Sequence, residues 1–295
     1  KNSSELIDNI KNIQLQEGEI LVSFDVCSLF PSVPIPQTLD YLRELLELNG
    51  IHSAYQYFIM ANIFNNMRER QWVTPCHLSL QIFFMSKFET EAKDKFDYFP
   101  RVWFRYVDDI FVVFDTKAIS LDNFVAKLNN RFPTIKFTYE VEHNEQLPFL
   151  DVLVIRNSEN KLEFDVYRKE TATLRYIPND SHHPFQHKMA SFNFLIHRLL
   201  NFPLSKERFE HEKQLIKNIA KSNGYSVHLI DKLIRKHTFK RTLYNSTTFR
   251  RDTDNSKFAS LPYEPKFTRG LDKIFKNINI NLVYNSKNKL QTLFW

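Results

Sequence analysis

The sequence predicts an α+β fold, an antiparallel sheet with packed helices followed by an α-helical region. Three observations carry that expectation. Two apolar, β-rich runs, Val102–Tyr106 and residues 110–114, flank the adjacent acids Asp108 and Asp109, as in a hairpin buried along both arms and acidic at its tip. Further short β-rich runs stand at 19–25, 135–142, 149–155 and 162–167. Beyond them, residues 185–200, 205–221 and 226–237 carry apolar side chains at helical spacing. The boundaries that follow are a sheet-bearing region over 1–170, a helical region over 171–240, and a linker with a tail over 241–295.

Composition narrows the function classes. The 295 residues are 43% hydrophobic and 15% aromatic, enough for a sizeable core and too apolar for global disorder. A net charge of +6 favours an anionic partner. Cys27 and Cys76 are the only cysteines, so neither a disulfide framework nor a cysteine-based zinc site is expected. No apolar run nears the roughly 20 residues that span a bilayer, and no signal peptide opens the chain; an intracellular protein without a membrane partner is expected. Lys1 rather than Met begins the sequence, as in a fragment or a processed chain. Glycine occurs only at 18, 50, 224 and 270, which excludes a Walker-type phosphate loop and a dinucleotide fingerprint.

In chain order, residues 1–17 are polar and helix-compatible as far as Gly18. Residues 19–25 form a buried strand ending in Asp25. Pro31, Pro34 and Pro36 break regular structure, and 37–48 is an amphipathic helix closed by Asn49-Gly50. Residues 119–132 place Leu121, Phe124, Val125 and Leu128 on one helical face. Strand 135–142 alternates Phe137, Tyr139 and Val141 against Lys136, Thr138 and Glu140. Asp151, acidic and isolated, is expected in a structural hydrogen bond. Ser205 and Ser226 are N-caps, Asn223-Gly224-Tyr225 is a tight turn, and helix–glycine turn–helix is the form of a helix-turn-helix unit. Residues 238–257 have no apolar period and read as a linker, with a short helix at 273–281. His182, His183 and His187 have no cysteine nearby and do not make a zinc site.

The acids point to chemistry. Neighbouring carboxylates at a turn repel unless a cation lies between them, and carboxylate oxygens completed by substrate phosphates are what Mg²⁺ prefers. The alternative for Asp108-Asp109 is an ordinary Asp-Asp turn. Asp25, delivered by a strand end, supplies a third carboxylate, although a lone Asp there also serves as a cap. In two-metal nucleotidyl transfer, acids from separate elements hold two Mg²⁺ about 4 Å apart.

Ser23-Phe-Asp-Val-Cys-Ser-Leu-Phe-Pro-Ser-Val-Pro34 followed by Tyr106-Val-Asp-Asp109 resembles motifs A and C of Penelope-like retroelement reverse transcriptases. The resemblance continues through Leu147-Pro-Phe-Leu-Asp151, Val166-Tyr-Arg-Lys169, Asp180-Ser-His-His-Pro184 and Asn223-Gly-Tyr225, and covers roughly residues 5–240. It implies a partial right-hand polymerase palm over 1–170 and a thumb-like helical region after it. The activity implied is RNA-directed DNA synthesis with two Mg²⁺ ions, on an RNA template and DNA primer with dNTPs, for a nuclear site of action. Asp25 and Asp108 would hold the metals and Asp109 would assist. Phe30 would act as the sugar gate, with a plain core phenylalanine as its alternative, and Tyr106 would face the substrate. Arg168, Lys169, Lys188 and Arg198 would contact the nucleic-acid backbone. In many family members a GIY-YIG endonuclease follows; no Gly-Ile-Tyr or Tyr-Ile-Gly occurs in this sequence, and a fragment largely without fingers and without that endonuclease is expected.

One stretch departs from the family. Where motif B should carry Gly-Thr-x-Met-Gly-x-Pro-Leu-Ser-Pro, the chain has Met67-Arg-Glu-Arg-Gln-Trp-Val-Thr-Pro-Cys-His-Leu-Ser-Leu-Gln-Ile-Phe-Phe84. Back-translation in a shifted frame permits Glu-Gly-Thr-Ser-Met-Gly-Asn-Pro-Leu-Ser-Pro-Phe-Phe-Ala-Asn-Leu-Phe over Arg68 to Phe84. An out-of-frame segment is therefore expected, with compensating indels near 62–67 and just before Met85; the alternative is a divergent helix-loop segment. Cys76 and His77 in it are not metal ligands. Without the glycine, backbone cannot approach the template–dNTP pair closely, so polymerase activity is expected to be impaired or lost. The rival function is a non-catalytic nucleic-acid-binding remnant using the basic helices.

Overall fold

The computed structural model describes residues 3–48, 50, 75–246, 257–262 and 280–285. It divides into one unit of residues 1–26, 98–130 and 137–248 and a second of residues 27–97, 131–136 and 249–295.

The first unit is built on a four-stranded antiparallel sheet in the order β2-β3-β1-β4. Its strands are β1 (Glu19–Val26), β2 (Val102–Tyr106), β3 (Asp109–Asp115) and β4 (Phe137–Val141). β1 and β3 hold the middle and read as near-continuous apolar runs, because both faces of a central strand are covered. On one face Leu21, Val102, Phe111 and Val113 join Leu147, Phe149, Val152 and Phe164 in a single core. The latter come from a three-stranded sheet, β5 (Gln146–Phe149), β6 (Val152–Arg156) and β7 (Leu162–Val166), ordered β5-β6-β7. Helix α1 (Ser3–Ile10) adds Leu6, Ile7 and Ile10 to that core. On the opposite face, Phe124 is ringed by Phe24, Tyr98, Phe99, Trp103 and Phe114 at centroid separations of 5.5 to 6.4 Å. Aromatic pairs at such distances each contribute roughly 0.5–1.5 kcal/mol beyond their burial.

Three helices complete the unit. Met189, Phe192, Leu195, Ile196 and Leu199 pack against Ile216, Ile219, Ala220, Tyr225 and Ile230 in a second core. In the second unit, α2 (Leu29–Ser32) and α3 (Ile35–Leu48) pack on α4 (Pro75–Lys95). Buried Phe84, Met85, Phe88 and Ala92 recur along α4 at helical spacing, and Phe132 touches the rings of Phe84 and Phe88. The helix of the first unit that carries Phe124 is α5 (Leu121–Arg131). Strands β8 (Lys257–Pro262) and β9 (Ile280–Asn285) pair in parallel.

The expected α+β fold is observed, with four departures. Residues 149–155 are not one strand. β5 and β6 meet at a tight hairpin in which Leu150 takes φ 55°, a left-handed position without the glycine that would have signalled it. The proline-rich stretch is helical at both ends. Pro36 sits in the first turn of α3, where a missing N–H costs nothing. The last helix of the first unit, Val227–Ser246, runs nine residues into the expected linker, its hydroxyls of Thr238 and Thr242 donating back to the carbonyls of Ile234 and Thr238. Ile280–Asn285 is strand where a helix end was expected; residues 263–279 and the onset of the anomalous segment at 67–74 lie outside the described residues.

Candidate functional site

Strand register assembles the acids. In the β1–β3 ladder Asp25 stands opposite Asp109, and across the neighbouring ladders Tyr106 pairs with Asp109 and Thr138 with Asp25. Directly opposed residues of antiparallel strands project to one face with Cβ atoms on the order of 5 Å apart. The row Tyr106–Asp109–Asp25–Thr138 therefore crosses the sheet on the face that β5–β7 cover, at its open end. Asp108 occupies the β2–β3 turn, and its carbonyl accepts a 3.1 Å hydrogen bond from the Val26 N–H, tying the turn to β1. Val107 beside it has φ 56°, uncommon for a β-branched residue and of the kind that stores about 1–3 kcal/mol of strain. A two-residue turn with a positive φ at its first position matches the right-handed twist of the flanking strands.

Over this row lies a cavity of about 560 Å³ lined by Asp25, Asp109, Thr138, Glu140, Tyr167 and Lys169. Phe149 and Leu150 line it too, and with Phe104 and Tyr106 they also line a smaller adjoining cavity. The electrostatics are strained toward protonation. Partial burial, then the charges of Asp108 and Asp25, push the Asp109 carboxyl up to about 6, against a pull from Lys169. Burial, then Asp108 and Glu140, hold the Asp25 carboxyl above its usual range. Acids raised by each other's charge with one lysine in reach form a donor set that a hard divalent cation relieves. Among the described residues no group of three or more His, Cys, Asp or Glu is assembled as a ready metal cage. Two opposed carboxylates with a third at the adjacent turn suit a cation that takes its other ligands from water and substrate phosphates, as Mg²⁺ does. Glu140 was not singled out from the sequence. The alternation of β4 places it on the same face as Thr138, and that was the signal.

The other expected site residues divide. Lys169 lines the acid cavity. Arg168 is committed elsewhere: its guanidinium forks onto both oxygens of Glu212, a buried acid 2% exposed. Arg198 is 8% exposed, 3.7 Å from Asp151 and 4.7 Å over the Phe194 ring, so the expected phosphate contact is corrected to a buried ion pair. Its burial, with Arg168 nearby, draws its guanidinium down against the pull of Asp151 and Glu212. Asp151 also accepts a hydrogen bond from the Ser3 hydroxyl, the structural role expected of it. Lys188 donates a 2.8 Å hydrogen bond to the Asn179 carbonyl, which uses one of its three ammonium donors. The Phe30 side chain lies outside the described residues.

The helical segment comprises α6 (Phe185–Asn201), α7 (Lys206–Ser222) and α8 (Val227–Ser246). Ser205 caps α7 by accepting from the Arg208 N–H at 3.2 Å. Asn223, 8% exposed, closes the turn by donating to the carbonyls of Ile219 and Leu174 and accepting from the Tyr176 N–H. Gly224 at φ 79° completes it, and the Tyr225 hydroxyl donates to the Ile177 carbonyl at 2.6 Å. Residues 175–235 match the family model of the animal helix-turn-helix domain, to which this segment is similar. No curated protein and no solved structure matches the chain. No helix among the described residues is long and apolar enough to cross a membrane.

Proposed function

We propose that the chain is a nucleic-acid-binding protein whose acid-bearing sheet descends from a reverse transcriptase of the Penelope-like type. Its reaction is RNA-directed DNA synthesis on an RNA template and DNA primer with dNTPs. The register of Asp25 against Asp109, with Asp108 at the adjoining turn, is the observation that carries this reading. Asp25 and Asp108 would hold the Mg²⁺ ions, and Asp109, opposite Asp25 in the β1–β3 ladder, would assist. Bound there, Mg²⁺ supplies the Lewis acidity that makes a primer 3′-hydroxyl nucleophilic and neutralises the leaving pyrophosphate. Lys169, across the same cavity, offsets the charge of an incoming phosphate. Tyr106, opposite Asp109, borders the path of the nucleotide.

Activity of this chain is low or nil. Phosphoryl transfer depends on positioning as much as on charge, and the segment before Met85 has no glycine to let backbone approach a template–nucleotide pair. The test is primer extension with Mg²⁺ and dNTPs on an RNA template. The chain as it stands is expected to give no product. One carrying Gly-Thr-Ser-Met-Gly-Asn-Pro-Leu-Ser-Pro in place of the anomalous segment is expected to extend the primer, and to lose that with Asp25→Asn. A restored chain that binds Mg²⁺ and template yet makes no product contradicts the polymerase reading.

A second reading, binding without catalysis, is favoured by the helix-turn-helix match at 175–235. Salt-dependent binding of nucleic acid that survives Asp25→Ala and Asp108→Ala, with no extension by the restored chain, decides for it.

A further inference from the structure

Helix α8 sorts its side chains onto two faces. Leu229, Ile230, Leu233 and Ile234 pack into the three-helix core. On the opposite side His228, Lys232, Arg235 and Phe239 are exposed, at intervals of four, three and four residues. At roughly 100° per residue that spacing keeps them within about 60° of one line, and at about 1.5 Å per residue the line is about 16 Å long. Lys236, also exposed, flanks it at about 70° from its midline, and Lys240, exposed one turn further on, lies about 110° from it. Phe239 is 66% exposed, a large apolar side chain that the domain's own packing does not use.

The charge on this helix is one-sided. Asp231 is its only acid, and Lys217 already pairs with it at 2.7 Å. On α7, by contrast, Arg208 is held by Glu163 and Lys213 by Glu210. Lys232, Lys236 and Lys240 pair with no acid among the described residues.

We infer that the exposed stripe of α8 seats double-stranded DNA by its phosphate backbone, without reading sequence. This rests on the reading of the domain as nucleic-acid-binding and specifies its ligand and its face. Duplex DNA fits because the major groove of B-form DNA admits an α-helix, whereas that of A-form RNA is too narrow. Backbone contact fits because the cations are chiefly lysines, flexible point charges suited to phosphates, and run over more than two turns. The first turn of the helix, from which helix-turn-helix proteins read base edges, presents His228 and the already paired Asp231. No Asn or Gln stands on the stripe to read adenine. Phe239 offers an apolar surface to deoxyribose, which lacks the 2′-hydroxyl.

The test is fluorescence anisotropy of the full chain on duplexes of about twenty base pairs of unrelated sequence, from low to physiological salt. Lys232 and Arg235 on the stripe, with Lys236 and Lys240 beside it, predict that the logarithm of the association constant falls with the logarithm of salt at a slope of about −3.5. Lys232→Gln, Lys236→Gln and Lys240→Gln together are expected to flatten the slope by about 3 and to weaken low-salt binding by at least roughly tenfold. Lys→Arg at the same positions keeps both, and unchanged melting temperatures show that the fold is intact. A duplex bound with an unchanged slope in the triple Gln variant overturns the stripe and leaves the nucleic-acid reading standing. So does a preference above about tenfold for one sequence, or for double-stranded RNA. Absence of any binding overturns both.

Discussion

Asp25 and Asp109 stand directly opposite each other on adjacent strands, and this pairing sets the chemistry of the cleft. One arrives at the end of a buried strand and the other just past the tip of a hairpin. Neither could reach the other without the register that Leu21, Phe111 and Val113 fix through their burial.

The raised carboxyl of Asp109 is a statement about stability. Its folded value of about 6 lies above the ordinary 3.8, so the folded chain holds more protons than the unfolded one between those values. Stability contributed by this group is present below about pH 4 and is lost as pH rises through 6. The full shift corresponds to about 3 kcal/mol, and screening of a half-buried group cuts that to about 1–2 kcal/mol. Asp109→Asn is therefore expected to raise the unfolding free energy from urea titration at pH 8 by that amount and to lose the advantage near pH 4. Equal gains at both pH values contradict the assignment.

Val107 holds a left-handed backbone that a β-branched side chain disfavours. Val107→Gly is expected to stabilise the chain by about 0.5–1 kcal/mol in denaturant titration, relief of strain outweighing the added unfolded-state entropy. A destabilised variant shows that the side chain packs more usefully than the turn is strained.

Arg168 and Glu212 form a buried, two-pronged ion pair between the end of β7 and α7. Arg168→Ala leaves the Glu212 charge buried and alone, and is expected to cost about 3–5 kcal/mol in thermal or urea unfolding. The double variant Arg168→Met, Glu212→Met is expected to recover most of it. Failure of the double variant to recover assigns the loss to packing instead of charge.

Genomic DNA across the anomalous segment provides a test that needs no protein. A shifted open frame is expected to encode Gly-Thr-Ser-Met-Gly-Asn-Pro-Leu-Ser-Pro between residues 68 and 84, and its absence contradicts the frameshift.

How much of this was legible in the sequence follows from which physics each element uses. The acid hairpin and β1 were legible because central strands are apolar on both faces and end abruptly in charge. The helices of the segment that matches the helix-turn-helix family were legible from their apolar period, from Ser205 and from Gly224. The β5–β6 hairpin was hidden because Leu150, not glycine, takes the left-handed turn position. The extension of α8 past His237 was hidden because residues 238–242 are all exposed and so show no apolar period. Arg168 and Arg198 misled for a related reason: a basic residue in sequence does not disclose a buried acid brought beside it by a distant element, as Glu212 and Asp151 are.

The central claim is that the strand end and the hairpin tip present their carboxylates to one divalent cation. Titration of Mn²⁺ into the full chain at pH 7.5, followed by electron paramagnetic resonance of the free ion, tests it most directly. Saturable binding that Mg²⁺ displaces, that fades as pH falls through about 6, and that Asp25→Asn and Asp109→Asn each abolish, is the predicted result. No saturable binding, or binding that both variants retain, contradicts it.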